Sequence, residues 1–557
     1  GNATRSAAWT FWYSTPRVAL SDGSKYHRRR MLPADTGVGA AAPPAPIASV
    51  IHTIAIVFIA ACAMAVGTAW PFSFGFDSGG PLWWLQILAL ATLVGALRRS
   101  THWRSAAVFG LVFATTWQCA TFWWLYISMH NYAGLHAVLA AIAILALAMA
   151  LGVYYAVACV AYWKLKDRQP FWASASFAAA WTMAEMARGT WLTGFGWGAV
   201  GYAHVTGPLA AYIPWLGAYG VGALAAWLSA ALVLSIRGRT VWLSLGISLV
   251  IAVGLAAPSV LPVWSAPAGT LSVTLLQGNI PQEEKFQTGS GVPLALQWYG
   301  DQINRSATEL VVAPETAIPL LPQDLPVDYW DALAKRFVRG EQAALVGIPW
   351  GNMAQGYTNS VVGFSPGQQS EWRYDKHHLV PFGEFIPPLF KWFTRMMNIP
   401  LGDFNRGAVG QASFAWKGQR LAPNICYEDL FGEELGARFV DPVQAPTVFV
   451  NVSNIGWFGD SVAIDQHLQI SRMRALEFER PMIRATNTGA TAIIDHTGRV
   501  IDTLPRHTRG VLVGTVQGRT GTTPFAWWVA RFGLWPLWIL ALAIIFIATR
   551  TQRTRAL

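Results

Sequence analysis

Long apolar runs constrain what this chain can fold into more than any other feature. Of its 557 residues, 53% are hydrophobic and 12% are charged, whereas soluble domains carry about 25% charged residues. A helix needs about 20 mainly apolar residues to cross the hydrocarbon core of a bilayer. About eight runs approach or exceed that length, over residues 48–69, 82–97, 105–128, 134–162, 171–187, 208–236, 241–263 and 526–549. The sequence therefore predicts an integral membrane protein.

The basic residues indicate how the chain is oriented. The net charge is +11, but the lysines and arginines cluster in short segments between apolar runs and form no stripe of the kind that binds nucleic acid. Cytoplasmic loops are enriched in these residues. They occur in the N-terminal tail, in alternate loops and in the C-terminal tail, as Arg28, Arg98, Lys164, Arg237 and Arg550 illustrate. We therefore expect both termini in the cytoplasm and the segment between the seventh and eighth runs outside.

The predicted domain organisation follows from these runs. Residues 1–46 are rich in Ala, Pro and Arg, and we expect a disordered cytoplasmic tail there. The other predicted parts are transmembrane helices 1 to 7 over 47–264, an extracytoplasmic domain over 265–523, transmembrane helix 8 over 524–550 and a cytoplasmic tail over 551–557.

The predicted extracytoplasmic domain mixes strands with helices. Short β-rich runs such as "LSVTLLQ", "ELVVAP", "AALVGIPW", "NSVVGF", "RLAPNI" and "PTVFVNVS" end in polar or proline-containing turns. Two segments, "DYWDALAKRFV" and "DQHLQISRMRALEFERPMI", carry apolar residues at helical spacing. The segment "TAIIDHTGRVIDTLP" is typical of a hairpin around residues 496–498. This mixture predicts one layered α/β domain.

Cys426, in "NICYEDLFGEE", is the one cysteine in the second half of the chain. Cys62, Cys119 and Cys159 fall inside predicted membrane spans, where small apolar packing residues are expected. Cys426 therefore has no partner within reach for an intramolecular disulfide. The sequence also lacks the CxxC and HExxH spacings of zinc sites. Two interpretations of Cys426 remain, a buried inert thiol and a nucleophile.

Two ionisable residues share the position of Cys426 directly after a predicted strand. Glu315 follows "LVVAP" and Lys376 follows "WRYD", and reactive groups gather where strands end in α/β folds. Glu315 could take the thiol proton, provided that burial raises its pKa. Lys376 could stabilise an oxyanion together with a backbone N–H after Cys426. Singly, each would be a surface carboxylate or a surface lysine, but the three together favour an active site.

Several motifs along the chain carry a family resemblance. They are "QGNIPQ" at 277–282, "PETAIP" at 314–319, "YDKHHLVPFGEFIP" at 374–387, "ICYE" at 425–428, "SNIGWFG" at 453–459, "RMRALEFERPMIRATNTGATAII" at 472–494 and, in the membrane part, "EMARGTWLTGFGW" at 185–197. They resemble the nitrilase superfamily of carbon–nitrogen hydrolases and, more closely, its membrane-bound branch, the apolipoprotein N-acyltransferases. The resemblance spans about residues 50–550 and implies a helical membrane bundle plus a nitrilase-like α-β-β-α sandwich. The chain departs from the branch at Phe286, where Trp is usual, and at Ile455 and Gly456, where Asp and Ala are common.

The resemblance also implies roles for individual residues. Glu315 would be the general base, Lys376 the oxyanion-stabilising cation and Cys426 the acylated nucleophile. Glu384 would be a second carboxylate that holds Lys376 or shares its proton. Tyr427 and Glu428 would support the site. The implied substrate-binding residues are Phe286, Phe382 and Trp457.

The implied reaction is a two-step acyl transfer in a bacterial inner membrane. A membrane phospholipid, typically phosphatidylethanolamine, would acylate the cysteine to give a thioester. The α-amine of the lipid-modified N-terminal cysteine of an apolipoprotein would then take the acyl chain. We expect no cofactor and no metal. The outward loop "WLTGFGWGAVGYAHV" is expected to form the floor of the lipid entrance.

Two alternative functions remain open at this stage. An enzyme of the same fold could hydrolyse a small amide, although such a substrate does not require eight membrane spans. A membrane scaffold that binds lipoproteins without catalysis would not need Glu315, Lys376 and Cys426 together. Within the membrane part, Glu185 and Arg188 could form a mutual pair or contact lipid headgroups.

Overall fold

The computed structural model describes residues 47–238, 240–260, 263–352, 354–368, 370–386 and 404–551. The predicted N-terminal tail and residues 552–557 lie outside these ranges.

The first part of the described chain is helical. Helices form over each of the first seven apolar runs, as α1 (Ile47–Val66), α2 (Trp83–Arg99), α3 (Trp103–Thr121), α4 (Ala137–Leu165), α5 (Pro170–Thr190), α6 (Ile213–Gly238) and α7 (Val241–Val260). Short helical turns lie between them at Ile127–Tyr132, Trp191–Thr193, Val200–His204 and Ala210–Tyr212. A helix satisfies its own backbone hydrogen bonds, which is what an apolar segment in lipid requires.

Some of the described helices have the length and hydropathy of a membrane span. Among the described residues, two helical segments are long and apolar enough, Ala137–Leu165 and Ala210–Ile236. A third span results if Pro524–Phe532 and Trp535–Arg550 count as one. These two helices meet at 90°, so the apolar run over 526–549, predicted as one span, is a bent pair of helices. Gly533 breaks it with a φ of 54°, and Pro536, in the next helix, lacks the N–H that would continue it.

The second part is an α/β domain, and its predicted strands are confirmed, whereas the helix predicted over "DQHLQISRMRALEFERPMI" ends at Phe478 and the last residues of that segment begin a strand. Its strands are β1 (Ser265–Gln277), β2 (Leu310–Val312), β3 (Ala343–Asn352), β4 (Gly356–Phe364), β5 (Trp372–Asp375), β6 (Phe414–Trp416), β7 (Gln419–Ile425), β8 (Val448–Ser453), β9 (Met482–Thr486), β10 (Ala492–Ile494), β11 (Val500–Thr503) and β12 (Gly510–Gly521). In the described ranges they form two six-stranded sheets, ordered β12-β1-β2-β3-β4-β5 and β11-β10-β9-β8-β7-β6. The predicted hairpin is the antiparallel pair β10 and β11.

The two sheets face each other between helical layers. Alternate apolar residues of both sheets, such as Val273, Val312, Val450 and Ile483, form one buried cluster. The opposite face of the first sheet packs on α8 (Gly291–Arg305) and α9 (Tyr329–Val338). The opposite face of the second sheet packs on Ala463–Phe478, which we call the docking helix, and on Pro524–Phe532. Because side chains alternate along a strand, each sheet buries both faces, and the predicted α-β-β-α order is confirmed.

The docking helix joins the α/β domain to the helices of the first part. Ile470, Met473 and Leu476 belong to the same buried apolar cluster as residues of α1 to α6. Gln466, which is 2% exposed, accepts hydrogen bonds at Oε1 from Trp124 Nε1 at 3.0 Å and from Trp197 Nε1 at 2.7 Å. Its Nε2 donates to the Thr121 carbonyl at 3.0 Å. The buried amide of Gln466 therefore links the α/β domain to the helices of the first part by three hydrogen bonds.

Glu185 and Arg188 form a mutual ion pair. This is one of the two arrangements considered from the sequence. Arg188 Nη2 lies 3.8 Å from Glu185 Oε1, and both side chains are at most 2% exposed, so neither reaches a lipid headgroup. Arg188 Nη1 also donates to the carbonyls of Phe195 at 3.0 Å and Trp197 at 2.8 Å. The pair thus holds the loop between α5 and α6 against the bundle.

Candidate active site

Glu315 lies directly after β2, as its position in the sequence predicts, and is 7% exposed. Its Oε1 accepts a hydrogen bond from Asn359 Nδ2 at 2.7 Å, and its Oε2 accepts one from the Asn454 backbone N–H at 2.8 Å. The next residue, Thr316, has a φ of 47°, which non-glycine residues adopt only rarely. The turn therefore fixes the carboxylate in one orientation.

Lys376 lies directly after β5, and its side chain reaches the same carboxylate. Its Nζ is 3.3 Å from Glu315 Oε1 and 2.9 Å from Glu384 Oε1. Asn359 Nδ2 also donates to Glu384 Oε1 at 2.8 Å. Two carboxylates, one ammonium and one amide thus form a closed ring of contacts. The prediction that Glu384 holds Lys376 matches this geometry.

The charges in this ring change the expected protonation of Glu315. Burial raises the pKa of its carboxyl group, but the ammonium groups of Lys376 and Lys285, together with the hydrogen bonds from Asn359 and Asn454, leave the pKa below its usual value. The condition stated for Glu315 as the base, a pKa raised by burial, is therefore not met. Burial lowers the pKa of Lys376, but Glu315 and Glu384 raise it well above its usual value. Glu315 is thus an ionised carboxylate, which can accept a proton.

Cys426 lies at a sharp turn between β7 and a short 3₁₀ helix, Cys426–Leu430. Its φ is 56°, a conformation that costs about 1–3 kcal/mol in a non-glycine residue. Asn451 Nδ2 holds the turn by donating to the Cys426 carbonyl at 2.9 Å and to Asn424 Oδ1 at 2.7 Å. Strained backbone of this kind is concentrated at functional sites.

The Cys426 thiol is protonated at rest. Burial and the negative charge of Glu315 raise its pKa to about 12, although Lys376 acts in the opposite direction. A thiol of that pKa is almost entirely un-ionised at neutral pH, and the thiolate is the nucleophilic form. Cys426 therefore needs a base, and Glu315 is the ionised group beside it.

Glu428 connects the strand end that carries Lys376 to the turn that carries Cys426. Its Oε1 accepts hydrogen bonds from the backbone N–H groups of His377 at 2.7 Å and His378 at 3.0 Å. Its Oε2 accepts bonds from Ile425 N at 2.7 Å and from the Tyr374 hydroxyl at 2.8 Å. Burial raises the pKa of this carboxyl group despite these donors. The predicted supporting role of Glu428 is consistent with these four contacts.

Tyr427 lies against Lys376. The Lys376 ammonium is 5.7 Å from the centroid of the Tyr427 ring, within the range of a cation–π contact. The Tyr427 hydroxyl donates to the Leu379 carbonyl at 2.7 Å. Tyr427 therefore also tethers the segment that follows Lys376.

The three residues predicted to bind substrate are large and exposed. Phe286 is 53% exposed, Phe382 is 42% exposed and Trp457 is 40% exposed. Trp457 makes an edge-on contact with Tyr132 of the membrane part, with ring centroids 5.9 Å apart. Exposed aromatic side chains beside buried charges suit an apolar substrate, and their role stays a prediction.

Sequence reasoning missed Asn359, Asn454 and Lys285. Asn359 stands inside the β-rich run "NSVVGF", where an amide is easily taken for a sheet residue. Asn454 contributes through its backbone N–H, which no side-chain pattern reveals. Lys285 is 1% exposed. Its position next to Phe286, a predicted substrate-binding residue, was the sequence signal that could have identified it.

The two histidines after Lys376 have structural contacts. His377 Nδ1 lies 2.8 Å from the Gly407 carbonyl. His378 Nδ1 lies 2.9 Å from Glu434 Oε1, and its Nε2 lies 2.8 Å from the Thr193 carbonyl in the loop after α5. Across the described ranges, no three His, Cys, Asp or Glu residues cluster as metal ligands would.

Comparisons with known proteins agree with this architecture. Residues 66–231 match the family described as apolipoprotein N-acyltransferase N-terminal domain, and residues 272–525 match carbon–nitrogen hydrolase. An apolipoprotein N-acyltransferase of Verminephrobacter eiseniae is 57% identical over 524 residues, which cover 89% of this chain and 96% of the relative. One of Ralstonia nicotianae is 45% identical, covering 85% of this chain and 90% of the relative. A carbon–nitrogen hydrolase structure from Helicobacter pylori matches with a TM-score of 0.33 and 16% identity, covering 48% of this chain and 94% of that one.

Proposed function

The chain belongs to the apolipoprotein N-acyltransferases of the carbon–nitrogen hydrolase superfamily, and we propose that Glu315, Lys376 and Cys426 carry its acyl transfer. The single observation that supports this most is the ring of contacts in which Lys376 Nζ lies between Glu315 and Glu384. The proposal is also supported by the charges of Glu315 and Lys376, which both act on the Cys426 thiol, and by the strained backbone that carries this thiol.

In the first half-reaction a phospholipid ester acylates the enzyme. Glu315 takes the thiol proton as the sulfur of Cys426 attacks the ester carbonyl and forms a C–S bond. The C–O bond to the glycerol then breaks, and Glu315 returns the proton to the departing oxygen. A thioester and a lysophospholipid result, with no net change in protons.

In the second half-reaction an amine takes the acyl chain. The neutral α-amine of the lipid-modified N-terminal cysteine attacks the thioester carbonyl, and a C–N bond forms. Glu315 accepts a proton from the attacking nitrogen, the C–S bond breaks, and the proton returns to the Cys426 sulfur. The product is an N-acylated lipoprotein, and the enzyme regains its starting state.

Both half-reactions pass through a tetrahedral oxyanion. Lys376 is an ammonium held by two carboxylates, and it can receive this charge together with the backbone N–H after Cys426. A donor that is preorganised in a buried site stabilises such charge by about 3–4 kcal/mol. Asn359 contributes indirectly, because it fixes the carboxylates on either side of Lys376.

A membrane phospholipid, with phosphatidylethanolamine as the expected donor, and a diacylglyceryl-modified apolipoprotein are the proposed substrates. We infer that the helices cross the inner membrane eight times, with the α/β domain on the extracytoplasmic side and both termini in the cytoplasm, as the basic residues predict. Each buried CH₂ of an acyl chain contributes about 0.8 kcal/mol, so both substrates stay in the membrane. The active site therefore has to open at the membrane surface.

The loop after α5 is the proposed floor of the lipid entrance. Leu192 is 89% exposed and Trp191 is 55% exposed, while Trp197 farther along the loop is buried. The Thr193 carbonyl contacts His378, two residues after Lys376. An apolar exposed turn that is tied to the segment carrying Lys376 suits an acyl chain on its way to Cys426.

The experiment that tests this function follows a labelled acyl chain. The purified enzyme is incubated with phospholipid carrying a labelled acyl chain, with or without a diacylglyceryl lipopeptide that has a free α-amine. We expect label on the lipopeptide amine and none transferred by Cys426→Ala. Release of the label mainly as free fatty acid in the presence of the lipopeptide would indicate a hydrolase instead. Label on the lipopeptide from Cys426→Ala at the wild-type rate would refute the proposed nucleophile.

A further inference from the structure

We propose that Lys285 is a second cation of this active site, which positions Glu315 and sets its strength as a base. The inference rests on the proposed role of Glu315. Lys285 lies in the turn after β1, whereas Glu315 follows β2, so the contact depends on the tertiary fold.

The first support is the contact itself. Lys285 Nζ donates to the Glu315 backbone carbonyl at 3.0 Å, and Lys285 is 1% exposed. The acceptor carbonyl belongs to the peptide that joins Glu315 to Thr316, whose φ is 47°. Lys285 therefore binds the strained link of the turn that presents the carboxylate.

The second support is the tight packing on the far side of that turn. A methyl group on Gly347 would lie 2.8 Å from the Glu315 Cα and 2.1 Å from the Pro314 carbonyl oxygen, closer than atoms can approach. The backbone of Glu315 thus has β3 against one side and the Lys285 ammonium on its carbonyl. These contacts restrict the position of the Glu315 backbone.

The third support is the charge. Burial lowers the pKa of Lys285 to about 7, although Glu315 and Cys426 act to raise it. A buried ammonium with one hydrogen bond is a costly way to hold a backbone carbonyl. This cost has a functional reason if the positive charge of Lys285 acts on Glu315 and Cys426.

Glu315 faces charged or titratable groups from several elements. Lys376 follows β5, Glu384 lies in the segment after it, Cys426 follows β7 and Lys285 follows β1. The charges of Lys376 and Lys285 lower the pKa of Glu315, and so do the hydrogen bonds from Asn359 and from the Asn454 backbone N–H. Removing the charge of Lys285 therefore raises the pKa of Glu315.

The test measures how the rate of Cys426 alkylation by iodoacetamide depends on pH in the full-length enzyme. We compare wild type with Lys285→Met and Lys285→Arg, using Lys335→Met on the exposed side of α9 as the control. The rate should fall on the acid side as Glu315 takes up a proton, and in Lys285→Met the midpoint of this fall should rise by about one unit, because an opposite charge at this range lowers a carboxyl pKa by about 1–3 units. Lys285→Arg, which keeps the charge, should remain within about 0.3 unit of wild type.

Two outcomes would overturn the proposal. One is a wild-type midpoint in Lys285→Met, and the other is an equal shift in Lys285→Met and Lys285→Arg. If Lys285→Met does not fold, Lys285→Gln takes its place with the same expected shift. Alkylation needs no phospholipid or lipopeptide, so this result is independent of whether the acyl transfer proceeds as proposed.

Discussion

Glu384 is nearer to the ammonium of Lys376 than Glu315 is, with Oε1–Nζ distances of 2.9 Å and 3.3 Å. The proposed base therefore shares its cation with a carboxylate that has another task. Glu384 Oε2 also accepts a hydrogen bond from the Val380 backbone N–H at 2.9 Å. Glu384 thus fixes both the ammonium and the segment that follows it.

Replacing Glu384 by Gln should impair catalysis through Lys376. The variant keeps the shape of the side chain but removes the charge closest to the ammonium, and a shift of about 1 Å in a catalytic group can cost about 10²-fold in rate. We expect kcat for acyl transfer to fall by about that factor, with the α/β domain still folded. Glu341→Gln, at an exposed position of the same domain, should keep wild-type activity. An active Glu384→Gln enzyme would contradict the assigned contact.

Replacing Glu315 by Gln should lower the pKa of the Cys426 thiol and yet lower the rate of acyl transfer. The Glu315 carboxylate raises the pKa of the thiol, so its removal should bring that pKa below about 12. Acyl transfer should nevertheless fall by about 10²–10⁴-fold, because the base is gone. The thiolate is followed by ultraviolet absorbance against pH, as the difference from Cys426→Ser. A thiol pKa that stays the same or rises would contradict the charge arrangement.

Replacing Glu428 by Gln should disturb the alignment of Lys376 with Cys426. Each carboxylate oxygen accepts two hydrogen bonds, whereas an amide turns one of these edges into a donor facing donors. We expect a loss of about 10²-fold in kcat and a lower midpoint of thermal unfolding. Wild-type kinetics in this variant would mean that the four contacts do not align the site.

Replacing Gln466 by Leu should loosen the catalytic domain from the membrane helices. The change leaves the indole N–H groups of Trp124 and Trp197 without their acceptor, and a buried unpaired donor costs about 1–3 kcal/mol. Thermal unfolding of the purified protein in detergent should therefore begin at a lower temperature. Gln297→Leu, at an exposed position of α8, is the matched control. Equal unfolding midpoints in the two variants would show that the hydrogen bonds of Gln466 do not stabilise the contact between the two parts.

The sequence predicts the layered domain well because its signals are local. Strands such as β7 and β8 are short runs ended by turns, and the docking helix carries apolar residues at spacings of three and four. The residues that follow β2, β5 and β7 come together because the carboxyl ends of strands are where α/β sites form. Glu315, Lys376 and Cys426 could therefore be selected before their distances were known.

Features that depend on tertiary contacts could not be predicted in this way. Asn359 belongs to the site because β4 pairs with β5 and puts its amide between Glu315 and Glu384. The direction of the pKa shift of Glu315 could not be predicted either, because it results from two lysines and two hydrogen-bond donors that approach from other parts of the chain. In the last apolar run, one glycine with a φ of 54° produces a bend that hydropathy does not reveal.

The most direct test is the intact mass of the purified enzyme after exposure to phospholipid without an acceptor. The proposed mechanism predicts an added mass of one acyl chain, located on the peptide that contains Cys426, labile to hydroxylamine and lost when a diacylglyceryl lipopeptide is added. Cys426→Ala should gain no such mass. Acyl transfer to the lipopeptide with no trapped adduct on Cys426, or an adduct on another residue that passes to the lipopeptide, would contradict it.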